Sequence, residues 1–183
     1  MYKRQGTYSY NTDPQWARYF GGTASHNTVQ FDERDQMPRL SRFLFGDWLK
    51  ANDVQLLTES AQGFEFGAGY KDGGGARHHR KIRLETGRLQ VVDKVLGFAQ
   101  KAVLRWRLQP RDWHLETKSQ GLRLVQDLDE TVTLSVSSSA PVVRCELVQG
   151  WESRHYLEKT VVPVLEIEVR EAGTLITEVS WAQ

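Results

Sequence analysis

The sequence predicts an all-β fold, an antiparallel β-sandwich of large sheets, and three observations carry that expectation. Helical periodicity is scarce, while alternating or β-branched runs bounded by Gly, Asp, Asn and Ser recur from residue 54 onward. Turn signals such as Glu85-Thr86-Gly87-Arg88 and Asp127-Leu128-Asp129-Glu130 join neighbouring runs closely enough for antiparallel pairing. No helical stretch of the length that parallel strands need for a crossover is present.

The expected strands follow in order. Residues 28–32 (TVQFD) alternate before the chain breaks into charge, and 54–58 and 64–70 are short β-branched or aromatic runs. Residues 76–84 carry a basic run that includes His78 and His79. Between 64–70 and 76–84 the segment DGGG is a loop tip; no Lys-Ser or Lys-Thr follows it, so its glycines are not a phosphate cradle. Residues 89–96 (LQVVDKVL) come next, then 102–108 (AVLRWRL), which puts Ala102, Leu104, Trp106 and Leu108 on one face. Its other face, Val103, Arg105 and Arg107, is expected to meet water or ligand. Residues 122–126, 131–136, 142–148, 164–169 and 174–181 complete the set.

Composition narrows the function. A formal net charge of +1 over 183 residues announces neither nucleic acid nor an anionic membrane as partner, so an anionic ligand must be recognised locally. Cys145 is the single cysteine, which excludes an intrachain disulfide and a Cys-based zinc site. No apolar run approaches the length of a membrane helix, and the first twenty residues lack the pattern of a signal peptide. The opening MYKRQ has neither alternation nor a cap, and it matches what the end of a widely used sequencing-library transposon adapter would encode. Residues 1–5 are therefore expected to be a non-native leader, with 6–183 one domain from the C-terminal part of a longer protein.

Several residues stand out as candidates. Tyr8, Tyr10, Trp16, Tyr19 and Phe20 crowd into fifteen positions beside polar groups; such aromatics either stack sugar rings or fill a core or domain contact. Arg18 and Tyr19 suit sugar contact better than proton transfer. Asn27 is expected to tie down local backbone through its side-chain amide, and it joins the candidate substrate contacts. His78 and His79 are adjacent on a strand and point to opposite faces, so they cannot share a metal; a solvated basic edge is the expectation for that run. Asp32, Glu33 and Asp35 do not have the spacing of a calcium loop and are expected to serve a turn.

Three stretches together resemble the C-terminal domain of the heparinase II/III-like polysaccharide lyases. The first is GTYSYN, WARYF and GTASHNTVQFDERDQ; the second is RHHRKIRLETGRLQVVDKV; the third is GWESRHYLEK with PVLEIEV and LITEVSW. The likeness runs from Gly6 almost to Gln183, and its first stretch is the specific one.

The resemblance implies an antiparallel sheet domain that packs against an N-terminal α/α-toroid, with the sugar chain in the cleft between them. Such enzymes cleave uronic-acid-containing glycans, glycosaminoglycan or alginate, by β-elimination. That reaction needs a group to neutralise the uronate carboxylate, a base for the adjacent proton and an acid for the leaving oxygen. In the family the neutralising Asn or His and the Tyr acid or base lie on the toroid, so this chain is expected to form one cleft wall and to be inactive alone. The resemblance also implies that His26 joins a His and an Asp from upstream strands around a structural zinc in some members; otherwise His26 is a hydrogen-bonded residue at a strand start. A periplasmic or secreted location is implied for the full-length protein. The rival from another class is a non-catalytic carbohydrate-binding or structural β-sandwich. A domain parted from its toroid is expected to expose apolar surface and to self-associate.

Overall fold

The structure, a computed structural model, describes residues 8–9, 11–41, 44–118, 123–127 and 131–181. The opening five-residue stretch and Tyr10 lie outside the described residues. Among the described residues the chain forms one helix, α1 (Pro14–Gly21), and a 3-10 turn, Thr23–Ser25. Twelve strands follow among the described residues: β1 (Val29–Phe31), β2 (Ala51–Ser60), β3 (Gly63–Lys71), β4 (Arg77–Glu85), β5 (Arg88–Leu96) and β6 (Ala102–Arg107), then β7 (Trp113–Thr117), β8 (Arg123–Asp127), β9 (Val132–Ser138), β10 (Val142–Glu152), β11 (Thr160–Val169) and β12 (Gly173–Trp181).

The strands build two sheets, ordered β1-β6-β11-β10 and β2-β3-β4-β5-β12-β9-β8-β7. Every pairing among them is antiparallel, as the short turns predict. The outer face of AVLRWRL is not open, since Val103 there is buried as well, but its alternation sorts the inner face as expected: Leu104 and Trp106 turn inward with Leu165 and Ile167 of β11. They meet Val91 and Val95 of β5, Leu134 and Val136 of β9, and Leu175 of β12 in one buried core. Trp106 donates its indole N–H to Thr177 Oγ1 at 3.0 Å, which satisfies both polar groups between the sheets. Pro163 sits inside β11 opposite Gln149; just past the Val164–Arg107 pair its carbonyl still accepts from Leu108 N–H at 2.9 Å, and the N–H it lacks ends the β6 ladder there.

Two elements were not expected. Helix α1 forms in the aromatic segment because Asp13 caps it, accepting from Gln15 N–H at 3.0 Å, and Pro14 stands in its first turn, where a missing N–H costs nothing. β7 pairs with β8 at the far edge of the large sheet.

Expectation also falls short at β4. It is an interior strand between β3 and β5, and His78 and Arg80 turn inward onto Asp93 instead of forming a solvated edge. His78 Nε2 lies 2.6 Å from Asp93 Oδ1, while Arg80 grips both carboxylate oxygens at 2.7 and 3.0 Å. Burial alone would raise the Asp93 carboxyl; the Arg80 guanidinium and the His78 contact outweigh it and hold the group below its ordinary value.

Candidate functional site

Helix α1 lies against one end of the four-stranded sheet. Trp16, Tyr19 and Phe20 recur at the spacing that puts them on one helix face, with Phe20 buried beneath. The Tyr19 hydroxyl accepts from Trp151 N–H at 2.8 Å and from Arg107 Nη1 at 3.2 Å. Gly150 makes that approach feasible, because a Cβ there would stand 2.5 Å from Val164 Cγ2 and 3.0 Å from the Tyr19 hydroxyl.

Arg107, expected on a face open to water or ligand, is only 2% exposed. The helix covers it, and its guanidinium is engaged by the Tyr19 hydroxyl and by the Trp151 carbonyl through Nη2.

Around this anchor the rings form a cluster. Tyr8 stacks on Phe20 at 5.5 Å between centroids and meets Trp16 edge-on at 6.3 Å; Trp16 meets Trp151 edge-on at 5.3 Å. Lys159, just before β11, places its ammonium 3.5 Å from the centre of the Trp16 ring, with the Trp151 and Tyr8 ring centres at 5.3 and 5.5 Å. Arg18, in the last turn of α1, is exposed.

His26 and Asn27 stand where the 3-10 turn hands over to β1. The turn is held from behind: Asp35 Oδ1 accepts from Thr23 N–H at 2.7 Å, and Thr23 Oγ1 accepts from Gln36 N–H at 2.7 Å. Asn27 fastens backbone, as expected of its amide: its Oδ1 accepts from Arg107 N–H at 2.8 Å and its carbonyl accepts from Arg80 Nη1 at 2.6 Å. One residue thus links the small sheet to the buried Asp93 cluster of the large one.

His26 is exposed by surface area, yet enough protein surrounds its ring to matter electrostatically. Desolvation, then the Arg107 charge, lower its pKa against the opposing pull of Asp35. The neutral imidazole so favoured is the form that ligates metal. Among the described residues, however, no group of three His, Cys, Asp or Glu side chains is placed to hold an ion. By themselves the described residues do not make a zinc site, since zinc needs three or four converging donors.

The structure therefore brings Tyr8, Trp16 and Tyr19 into one cluster and ties Asn27 to it through Arg107. Neither Arg18 nor His26 makes a ring contact within it. Sequence reasoning missed Arg107, Gly150, Trp151 and Lys159 as site residues. GWESRHYLEK contained the last three, but only the folded register of β10 against α1 reveals what they touch.

Comparison with known proteins agrees with this architecture. The family model described as heparinase II/III-like, C-terminal, matches residues 5–182. A heparinase III solved with methylated lysines superposes with a TM-score of 0.75 at 16% identity, covering 99% of this chain and 28% of that one. The heparan sulfate lyase HepC from Pedobacter heparinus gives 0.67 at 16% identity, covering 97% of this chain and 27% of its own. The chain thus spans little more than a quarter of these structures. No match was found among curated proteins. With the family model covering nearly every residue and the expected sandwich in place, the chain belongs to the heparinase II/III-like family, as its C-terminal domain.

Proposed function

We propose that this domain is one wall of the substrate cleft in a polysaccharide lyase that cleaves uronic-acid-containing glycans by β-elimination, the other wall being an α/α-toroid of the parent protein. The observation carrying the proposal is the C-terminal-domain match across residues 5–182. The chemistry of the ring cluster supports it: aromatic rings beside cations suit a chain of sugar rings bearing anions.

In this role the residues of the chain bind and orient. Tyr19 already accepts two hydrogen bonds, and Arg107 is engaged beneath it, so both serve to rigidify the wall. Neutralising the uronate carboxylate, removing the adjacent proton and protonating the leaving oxygen then fall to the opposite wall. Tyr8, Trp16 and Arg18 are the proposed substrate contacts, with Tyr19 and Asn27 supporting them by fixing the wall and the β1 entry.

The test compares this chain with its parent protein on heparan sulfate, alginate and hyaluronan, following the ultraviolet absorbance of unsaturated uronate. Product is expected from the parent and none from the chain. Product from the chain alone overturns the cleft-wall reading. A parent silent on all three overturns the lyase reading and leaves a carbohydrate-binding or structural sandwich.

A structural zinc belongs to the same proposal, with His26 giving one nitrogen and the other donors coming from outside this chain. Zinc content of the parent, wild type against His26→Ala, decides it: stoichiometric zinc lost in the variant is expected, and a zinc-free wild type overturns it.

A further inference from the structure

We infer that Lys159 is the anion-recognising residue of this wall, its ammonium taking a carboxylate or sulfate oxygen of an acidic sugar. This rests on the reading of the domain as a cleft wall and names the contact through which that wall selects charge.

The argument begins with what surrounds the ammonium. Three ring centres lie within 5.5 Å of Nζ, with Trp16 at 3.5 Å. Ring quadrupoles attract a cation but leave its charge uncancelled, and among the described residues no acceptor meets its three N–H donors. Other lysines find carboxylates, as Lys81 does with Glu65 at 2.8 Å and Lys101 with Glu33 at 2.7 Å. Among the described residues no carboxylate pairs with Lys159. A half-buried lysine whose ammonium sits on aromatic rings therefore calls for an oxygen from outside, and an anionic oxygen answers best.

The seat is also held in place. Leu157 adopts the left-handed region at φ 65°, a conformation uncommon outside glycine, and its N–H reaches the Tyr8 carbonyl at 2.8 Å. Glu158 N–H closes onto the His155 carbonyl at 3.1 Å. The loop before β11 is pinned to the same segment that supplies the rings, so the backbone that carries Lys159 is ordered before any ligand arrives. With a net charge of only +1 the chain has no broad field to gather acidic glycans, and discrimination must come from local cations of this kind.

The experiment measures binding by calorimetry to four oligosaccharide probes: heparan sulfate, hyaluronan with carboxylate only, carrageenan with sulfate only, and neutral chitohexaose. Lys159→Met keeps the stem and deletes the charge, Lys159→Arg keeps the charge, and Lys94→Met removes an exposed cation on β5 as a control. Lys159→Met is expected to weaken the acidic probes by about tenfold or more, the effect of losing one hydrogen bond to a charged group. Lys159→Arg should recover most of it, and Lys94→Met should stay near wild type. Comparing hyaluronan with carrageenan identifies which anion Lys159 takes.

A second measurement needs no variant. The Lys159 ε-methylene protons lie in the Trp16 ring current, and their NMR shift should move on adding an acidic probe but not chitohexaose. If wild type binds acidic probes while Lys159→Met binds equally well and the ε-methylene signal stays still, this inference falls and the cleft wall stands. If wild type binds no acidic probe, both fall.

Discussion

Arg107 shows how one side chain can join residues far apart in sequence. Its backbone N–H is held by Asn27 and its guanidinium by Tyr19 and the Trp151 carbonyl, so the helix, the segment leading into β1 and the end of β10 all meet on one residue. Replacing Tyr19 by Phe removes the acceptor for both Trp151 N–H and Arg107 Nη1, and should cost about 1–3 kcal/mol in urea unfolding. Asp93 carries a larger stake. Asp93→Asn strips the carboxylate from half-buried Arg80 and buried His78 and should lose about 3–5 kcal/mol at neutral pH. The sign with pH follows from its depressed folded pKa: the contribution is complete above the unfolded carboxylate value of about 3.9 and fades as pH falls through the lower folded value. Urea midpoints of wild type and Asp93→Asn should therefore be far apart at neutral pH and converge in acid. The role of Asn27 as a backbone fastener was legible from its residue type beside a strand start. Burial of Arg107 was not, because strand alternation tells which face a residue occupies and not what lies on that face.

At the scale of elements, β2 departs most from the pattern of the rest. All ten of its residues are exposed, with Leu56 at 79% and Leu57 at 63%. Its register to β3 slips twice: Asn52 opposes Gly69, Gln55 opposes Gly67 and Thr58 opposes Glu65, so Leu56 and Leu57 both fall against Phe66. These are bulges, and Asp53 at φ 49° sits within the first. Phe64, Phe66 and Leu84 on the neighbouring strands are 40% or more exposed, which leaves an apolar strip beside an edge strand that no other described strand pairs. Such a surface promotes association, so the wild-type chain should sediment partly as larger species, and Leu56→Lys with Leu57→Glu should shift it toward monomer. A strictly monomeric wild type would contradict this. The sequence marked β2 only at 54–58, because bulges disguise the two-residue period. Helix α1 had left its signature in Asp13-Pro14, but eight residues offer too little apolar periodicity to outweigh the aromatic crowding around them.

For the whole molecule, the sandwich and its family were both legible, because parity within strands and short turns between them are written locally. The site was legible only in part. Tyr8, Trp16 and Tyr19 are neighbours in sequence, whereas Lys159 reaches them across more than 130 positions through the β10–β11 pairing. The order of the large sheet carries a further consequence. β12 comes after the other eleven strands in the chain, yet it lies between β5 and β9, with the β2-β3-β4-β5 and β9-β8-β7 groups on either side. During synthesis those two groups leave the ribosome as separate halves, each with an open inner edge, and they join only when the final stretch threads between them. A chain stopped before Gly173 should accordingly show no cooperative thermal transition, and nascent chains should acquire protease resistance abruptly, only after the keystone strand clears the exit tunnel.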